Sequence, residues 1–580
     1  MAQCLVTTLG EAVDNPNLVA PDEFVITVNH IDNDITPAAR FISFCFRSAA
    51  TVRMADTCYQ FTDQNGASLG CEVGFGVNVA KTLYFPNPAV GNSYKVIVSN
   101  KYALLYMNTQ EYPSTQYDFF EFDLGDLRYC AYLNALRCMC HKITGDLEDL
   151  ERVKGLDYLQ IGRTGVKGDL ACLKNMPSLR YFKGSPCDVH GDIAVIKELP
   201  LLRNFEVANC LEVYGNLSAF LNHTSINYIA LPQMASHPAI EGDIANLSGC
   251  TSLGFLGATN EAKIYGNISA LTGLASLWAI YLNGTSVSGD IAALAGKTKL
   301  QQIQLGNSVS ETFIGPADNK VYGDIGELSN LPMLYTISLQ NTGVTGDVGD
   351  LVNVPRLSTI ALTNTAVEGE MADFSPSAMP NLVSLDVGNC AGIAGNVSAL
   401  AGHANLQNLQ IYGTNVTGDI GAALEDCTAL TGVSFTNTNV SGDVTKVYKN
   451  TALQTGTAAG CPNLEGDLSE LPADMYYFAS NGRSGSTFSW SANDARPASA
   501  TIVTFDNVDF GDDLEKMLIN QASCTPKGNT TSWLHRRMYV WGSNTSATTM
   551  SSECQAACAT LAAAGYTVYI NGVLVTEMTV

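Results

Sequence analysis

No stretch of about 18 consecutive apolar residues occurs in this 580-residue chain, so no membrane-crossing helix is expected. Positive charge is scarce: 31 Lys and Arg stand against 55 Asp and Glu, a formal net charge of −24. That balance argues against nucleic acid and against an anionic bilayer, both of which demand basic patches. The opening residues, Met1 to Val6, carry neither a basic segment nor a long apolar one. The expectation is a chain that stays in the cytoplasm where it is made, or leaves by a route other than a secretory signal. There is no glycine-rich phosphate loop. The 17 cysteines, an odd number, lack framework spacing: Cys138/Cys140 and Cys554/Cys558 have no second pair at zinc-ligand spacing. Free buried thiols in a reducing compartment are expected instead. The histidines (His30, His141, His190, His223, His237, His403, His535) form no recognisable catalytic signature with Ser, Cys or acid. His141 and His190 fall on turns, where a solvated or structural role is expected. No cofactor is called for.

What the chain does have is 46% apolar residues and a length too great for one ordinary core. It must be several domains or an elongated array. A Gly-Asp/Asn-aliphatic triplet recurs along the middle, at Gly145, Gly168, Gly191, Gly215, Gly242, Gly266, Gly289, Gly323, Gly346, Gly369 (a weak copy, followed by Glu370 and Met371), Gly395, Gly418, Gly442 and Gly466. Most spacings are 23 or 24 residues; spacings of 26, 27 and 34 mark insertions into single units. Around each glycine runs the skeleton L-x-x-L-x-L-x-x-T-x-V-x-G-D-I-x-x-L, as in Leu277, Ile280, Leu282, Thr285, Val287, Gly289 and Ile291. Leu124, Leu127, Leu133 and Leu136 extend it back to about residue 122.

Each L-x-L is expected to be a short parallel strand whose leucines point into a coil, covered by the next unit. One unit cannot bury its apolar face alone, so stability must come from stacking. The glycine answers a need for positive φ. Thr164, Thr285, Thr342, Thr365, Thr414 and Thr438, with Cys187, Cys210, Cys390 and Cys461 in the same column, face inward and must pair with backbone.

The skeleton resembles leucine-rich repeats, most closely the variety with a G-x-I segment after the strand, frequent in plant receptors; Thr stands here where that family usually has an inward Asn. The resemblance implies a β-rich solenoid of 23-24-residue leucine-rich-repeat units over residues 122–489. Residues 1–121 do not repeat. Their strand-like runs (Phe24–Val28, Phe41–Phe46, Lys95–Ser99, Tyr102–Met107), with turns at Asn65-Gly66 and Asn87-Pro88, read as a β-sandwich-like domain that docks or caps. Residues 490–580 read as a degenerate last repeat and a β/α cap, with a strand at Arg537–Trp541, a helix at Ser551–Ala564 and a strand at Tyr566–Ile570. Residues 480–500, rich in Ser, Gly, Ala and Asn, read as a loop.

Two columns bear on function. An acid follows the glycine at Asp146, Asp169, Asp192, Asp243, Asp290, Asp324, Asp347, Asp419, Asp443 and Asp467. A calcium stripe would need several converging oxygens. A carboxylate serving its own turn is the expected reading, because Asn216, Asn267 and Asn396 substitute freely. These asparagines are also N-x-S/T sequons, which the repeat explains without glycosylation. No metal site is expected. The second column is aromatic: Tyr158, Tyr181, Tyr228, Phe255, Trp278, Tyr281 and Tyr335 fall at outward strand positions of the concave face. They suit sugar stacking or a protein hot spot, unless the rings merely stack on each other.

The opening Cys4-Leu5-Val6-Thr7, the Thr-containing repeats and the ending Gly565-Tyr566-Thr567-Val568 resemble leucine-rich-repeat proteins of gut Bacteroidales and their phages. That resemblance implies a non-enzymatic binding or structural protein: a phage virion appendage, fibre-like on head or tail, assembled in the host cytoplasm. Its partners would be other virion proteins through residues 1–121 and a host surface glycan or protein, with oligomers possible. The rivals are a bacterial cell-surface adhesin and an enzyme hidden in residues 1–121.

Overall fold

The computed structural model describes residues 23–575 apart from 30–40, 56–59, 86, 88–91, 110–119, 234–239, 308–320, 450–452, 454, 462, 481–485, 492–499, 527–536 and 543–548. The opening Cys4–Thr7, Pro88 of the expected Asn87-Pro88 turn, and His30, His237 and His535 lie outside the described residues. The chain folds as two compact units, residues 1–288 and 289–580.

The first unit begins with two antiparallel sheets face to face. One runs in the order Glu72–Phe75, Ala50–Met54, Ser93–Val98, Phe24–Asn29, Phe120–Asp123. The other runs Ser68–Gly70, Phe61–Thr62, Lys81–Tyr84, Phe41–Phe46, Leu104–Thr109. Alternation decides which side is buried: Phe24, Ile26 and Val28, and opposite them Ile42, Phe44 and Phe46, are all shielded from solvent. Phe75 of one sheet meets Phe46 of the other edge-on, ring centroids 5.1 Å apart. At Asn65-Gly66, Asp63 accepts the backbone N–H of Asn65 and Ala67 and fixes the turn.

Each sheet of this sandwich then continues into the repeats. Leu104–Thr109 pairs in parallel with Ala135–Arg137, and Phe120–Asp123 pairs in parallel with Ile143–Asp146. The sandwich therefore supplies the first rung of two parallel sheets.

Every repeat contributes to both sheets. A three-residue strand, such as Tyr158–Gln160 or Tyr181–Lys183, builds the first sheet with its middle residue buried. The sequence leads one to expect a turn at the Gly-Asp triplet. The structure instead places that triplet at the end of a second strand, as in Gly165–Asp169, which pairs in parallel with its neighbours. A short 3₁₀ helix follows and returns the chain.

The recurring columns have specific work. Thr285 Oγ1 donates to Leu282 O at 2.7 Å, and Thr342, Thr365, Thr414 and Thr438 bond their own repeats in the same way. Cys390 and Cys461 donate to Leu362 O at 3.0 Å and Phe435 O at 2.9 Å. Each Asp caps the short helix that follows it, 3₁₀ in most repeats and α after Asp419 and Asp443: Asp169, Asp192 and Asp243 each accept the N–H two residues on at 2.8 Å. Asn216, Asn267 and Asn396 do so at 2.9 Å, so an amide oxygen serves as well as a carboxylate. The glycine of the next repeat sits against that oxygen. At Gly266 φ is +115°, and a Cβ there would overlap Asp243 Oδ1. The Gly and Asp columns thus require each other across rungs.

The second unit repeats this plan from Gly289. Its first sheet ends in Thr504–Asp509, Arg537–Trp541 and Thr567–Ile570, the last strand pairing antiparallel with Val573–Leu574. Helices Leu514–Ser523 and Ser552–Ala563 pack on each other at this end. The stretch 480–500 is not simply a loop. Thr487–Ser489 adds a rung to the second sheet, and Trp490 is fully buried against Phe505 and Phe510.

Candidate functional site

The outward side of the first sheet carries the aromatic residues. Register places Tyr158, Tyr181, Asn204, Tyr228, Phe255 and Ala279 on successive rungs of one column. One unbroken ladder of rings is therefore not formed, because Asn204 divides it. Trp278 lies one residue before its strand, Tyr281 lies two positions along from Ala279, and Tyr335 precedes the strand Thr336–Ser338 of the other unit.

Two ring groups result. In the first, Tyr158 and Tyr181 stack with centroids 5.2 Å apart, and the Arg137 guanidinium covers the far side of Tyr158 at 4.1 Å. Tyr158 donates to Gln160 Oε1 at 3.1 Å. In the second, Tyr228 and Phe255 stack almost parallel, 8° and 4.2 Å apart, with Trp278 5.2 Å and Tyr281 5.1 Å from the Phe255 ring. Small residues make room for this group. A Cβ on Gly254 would stand 2.8 Å from Trp278 Cδ1, and one on Gly257 would stand 2.8 Å from Phe255 Cε1. Phe255 is only 6% exposed, and Ala230 and Ala279 complete a small apolar cluster above the sheet.

Ring orientation decides what this surface can hold. Rings stacked from rung to rung turn their faces along the stacking direction and their edges outward. Tyr158 has both faces covered, and Phe255 is enclosed by three rings. A pyranose needs a free ring face, and a protein surface can use edges and hydroxyls. Tyr181 and Tyr228 flank Asn204, which stands on the rung between them. At about 4.8 Å per rung, the gap between them is roughly 9–10 Å. Beside it Lys183 and Glu206 form an ion pair at 3.7 Å, and Arg180 pairs with Asp157 at 3.1 Å. Burial, helped by the Glu206 charge, pushes the Tyr228 hydroxyl up to about 12, so it stays a neutral donor.

The sequence missed other exposed rings. Tyr129, Tyr132, Tyr214, Tyr265 and Tyr322 are more open to solvent than any ring of the expected column. They sit singly, or beneath an arginine as Tyr132 does under Arg47 at 4.1 Å. Period-two alternation in the Y-G-N and Y-G-D triplets was the signal for three of them. Among the described residues no group of three or more His, Cys, Asp or Glu is placed to hold a metal ion. His223 Nε2 meets Leu199 O at 2.9 Å and His403 Nε2 meets Phe374 O at 2.6 Å, both buried inside the coil. His141 lies on a turn as expected, but His190 lies in the second-sheet strand Asp188–Asp192, because the neighbouring rungs supply its backbone pairing; both border one cavity.

Comparison with known structures gives the class of the fold. The chain is similar to the Arabidopsis receptor kinase HAESA, solved with the peptide hormone IDA and a co-receptor: 15% identity, 70% of this chain and 74% of that one, TM-score 0.51. It is also similar to an internalin of Listeria monocytogenes (17% identity, 62% and 89% covered, TM-score 0.36) and a leucine-rich-repeat protein of Leptospira interrogans (12%, 58% and 87%, TM-score 0.38). The fold is a β-rich leucine-rich-repeat solenoid. No family model and no curated protein matches the sequence.

Proposed function

We propose that this is a non-enzymatic recognition protein that holds a protein or peptide partner on the outward face of the first sheet, between Ala135 and Tyr281. The observation that carries the reading is the division of the rings into two stacks on either side of Asn204. A planar side chain of the partner, aromatic or guanidinium, enters between Tyr181 and Tyr228, while the outer edges and hydroxyls contact its backbone. The partner is thus a protein and not a glycan. The working site proposed is a phage virion, where the protein acts as an appendage attached through residues 1–121; a bacterial surface is the alternative. The resemblance of the repeats and chain ends supports that setting, and immunogold labelling of purified virions against host envelopes tests it.

Asn204→Tyr tests the site. It completes the ring column and fills the gap. An added aromatic pair stabilises by about 0.5–1.5 kcal/mol, so unfolding should move to higher temperature. Binding to susceptible cells should fall at least tenfold, as loss of a central anchor does. Unchanged attachment in a stabilised variant would remove the gap from the binding site.

A further inference from the structure

The structure assigns a second binding site to the first unit: a cavity of about 710 Å3 lined by the starts of second-sheet strands and the turns that lead into them, away from the ring face. We infer that it takes an acidic saccharide about two sugar rings long. Its size falls in the range of small-ligand pockets.

The first reason is a backbone anomaly. Among the described residues, ten other than glycine have positive φ; nine are asparagines and the tenth is Arg163, at +61°. Asparagine is the residue that tolerates this conformation, and a long side chain there is an outlier. The equivalent turn position is Gly284, Asn341, Asn364, Gly413 and Asn437 in other repeats. At the cavity it is occupied by Arg163 and, one repeat on, by Pro186; Cys140 and Gln233 are departures elsewhere, and of the four only Arg163 holds a positive φ. The fold would be served by Asn at 163, so the arginine is there for its side chain. Strain at an unusual residue of this kind is a pointer to function.

The second reason is the chemistry of the wall. Arg163 and Lys167 stand on one rung, Asp188 on the next and Glu212 on the one after, all exposed at the rim. Lys167 is the register partner of Asp188, and His190 that of Glu212. Across these rungs the lining passes from cationic to anionic over roughly 10 Å. Arg163 and Lys167 suit a carboxylate. Asp188, Glu212 and Asn209 accept hydroxyl protons, and the exposed Leu211 and Pro186 offer an apolar surface for a sugar ring. The floor is closed, since Thr164 already donates to Ile161 O at 2.5 Å and Cys187 to Gly184 O.

The test is saturation-transfer NMR on the full chain with digalacturonate, its neutral counterpart digalactose, and the zwitterion Gly-Gly. Digalacturonate should bind and digalactose should bind about tenfold more weakly or not at all, the difference that one charge-assisted contact makes. Arg163→Asn should abolish the signal while leaving the melting temperature unchanged or higher; Glu212→Gln should weaken it without affecting melting. Equal binding of digalactose, preference for Gly-Gly, or silence from every probe would overturn the proposal. So would an Arg163→Asn protein that melts lower yet still binds, because the arginine would then be structural. None of these outcomes bears on the ring face, which Asn204→Tyr addresses separately.

Discussion

Replacing Gly266 by alanine probes the strongest structural dependence in the coil, the contact between one repeat's glycine and the preceding repeat's aspartate. At φ +115° an L-residue is held where side chains rarely go, and its Cβ would overlap Asp243 Oδ1. The backbone term costs about 1–3 kcal/mol. The carboxylate must also swing away from Ala245 N, which it accepts at 2.8 Å, and losing such a cap costs about 1 kcal/mol. The single change should therefore destabilise by about 2–4 kcal/mol. Asp243→Ala alone should cost about 1 kcal/mol. The double variant should be no worse than Gly266→Ala, because the cap is already lost there, so the pair couples by about 1 kcal/mol. Gly273→Ala is the control: a Cβ there meets nothing within 4 Å, and the change should stay within about 0.5 kcal/mol. Urea unfolding gives the energies, and native-state exchange of the Ala245 amide reports the cap itself, which suits a repeat protein that opens locally. Strict additivity of the two substitutions, or an Ala245 amide still protected in Gly266→Ala, would refute the account.

Other outcomes follow from the same contacts. Tyr228→Ala should cost about 1–2 kcal/mol because it uncovers Phe255, whereas Tyr181→Ala should cost less than about 1 kcal/mol and still weaken attachment; melting curves and cell binding separate the two. Calcium chelation should leave melting unchanged, since each column Asp is used by its own turn, and a fall of many degrees reversed by calcium would contradict this. The buried thiols of Cys390 and Cys461, pushed up by burial, should react slowly with iodoacetamide near pH 8 and appear as free thiols after non-reducing denaturation. Burial lowers the His403 pKa, so the unfolded chain takes up a proton at that site before the folded one does. Stability should then be full above about pH 6.5 and fall as pH drops below it. His403→Met should flatten that slope, as the matching positions Leu331, Val354 and Met379 already carry apolar residues.

The repeat was legible because its physics is local and recurs. A glycine every 23 or 24 residues, the inward leucines and a small donor at the Thr column each answer one requirement, and repetition separates them from chance. The second sheet was not legible. Its strands end in Gly-Asp, a pair that reads as a turn, and only the neighbouring rung supplies its hydrogen bonds. Trp490 was hidden for a similar reason, since it lies in a stretch whose composition reads as loop and is buried by Phe505 and Phe510 from the next rung. The asparagine ladder, in which Asn364 donates to Asn341 Oδ1 and Asn389 to Asn364 Oδ1, each at 2.7 Å, lies beside the Thr column and was missed because one donor column already satisfied the sequence pattern.

The candidate site shows how far such reading reaches. The sequence locates aromatic residues on the outward positions, since alternation about each buried strand residue dictates the side. It does not orient them, because orientation depends on what stands on the rungs above and below. Gly254, Gly257, Ala230 and Ala279 look unremarkable in sequence, yet they leave the room in which Phe255 is buried and Trp278 packs against it. Asn204 reads as a mere gap in a tyrosine column, yet it divides the rings into two separate stacks. In a coil whose core and turns are satisfied repeat by repeat, a position that departs from its own column is free of the demands that fix the others. Asn204 and Arg163 are two such departures, one opening a surface and the other lining a cavity, and each carries a test in which stability and binding are expected to part.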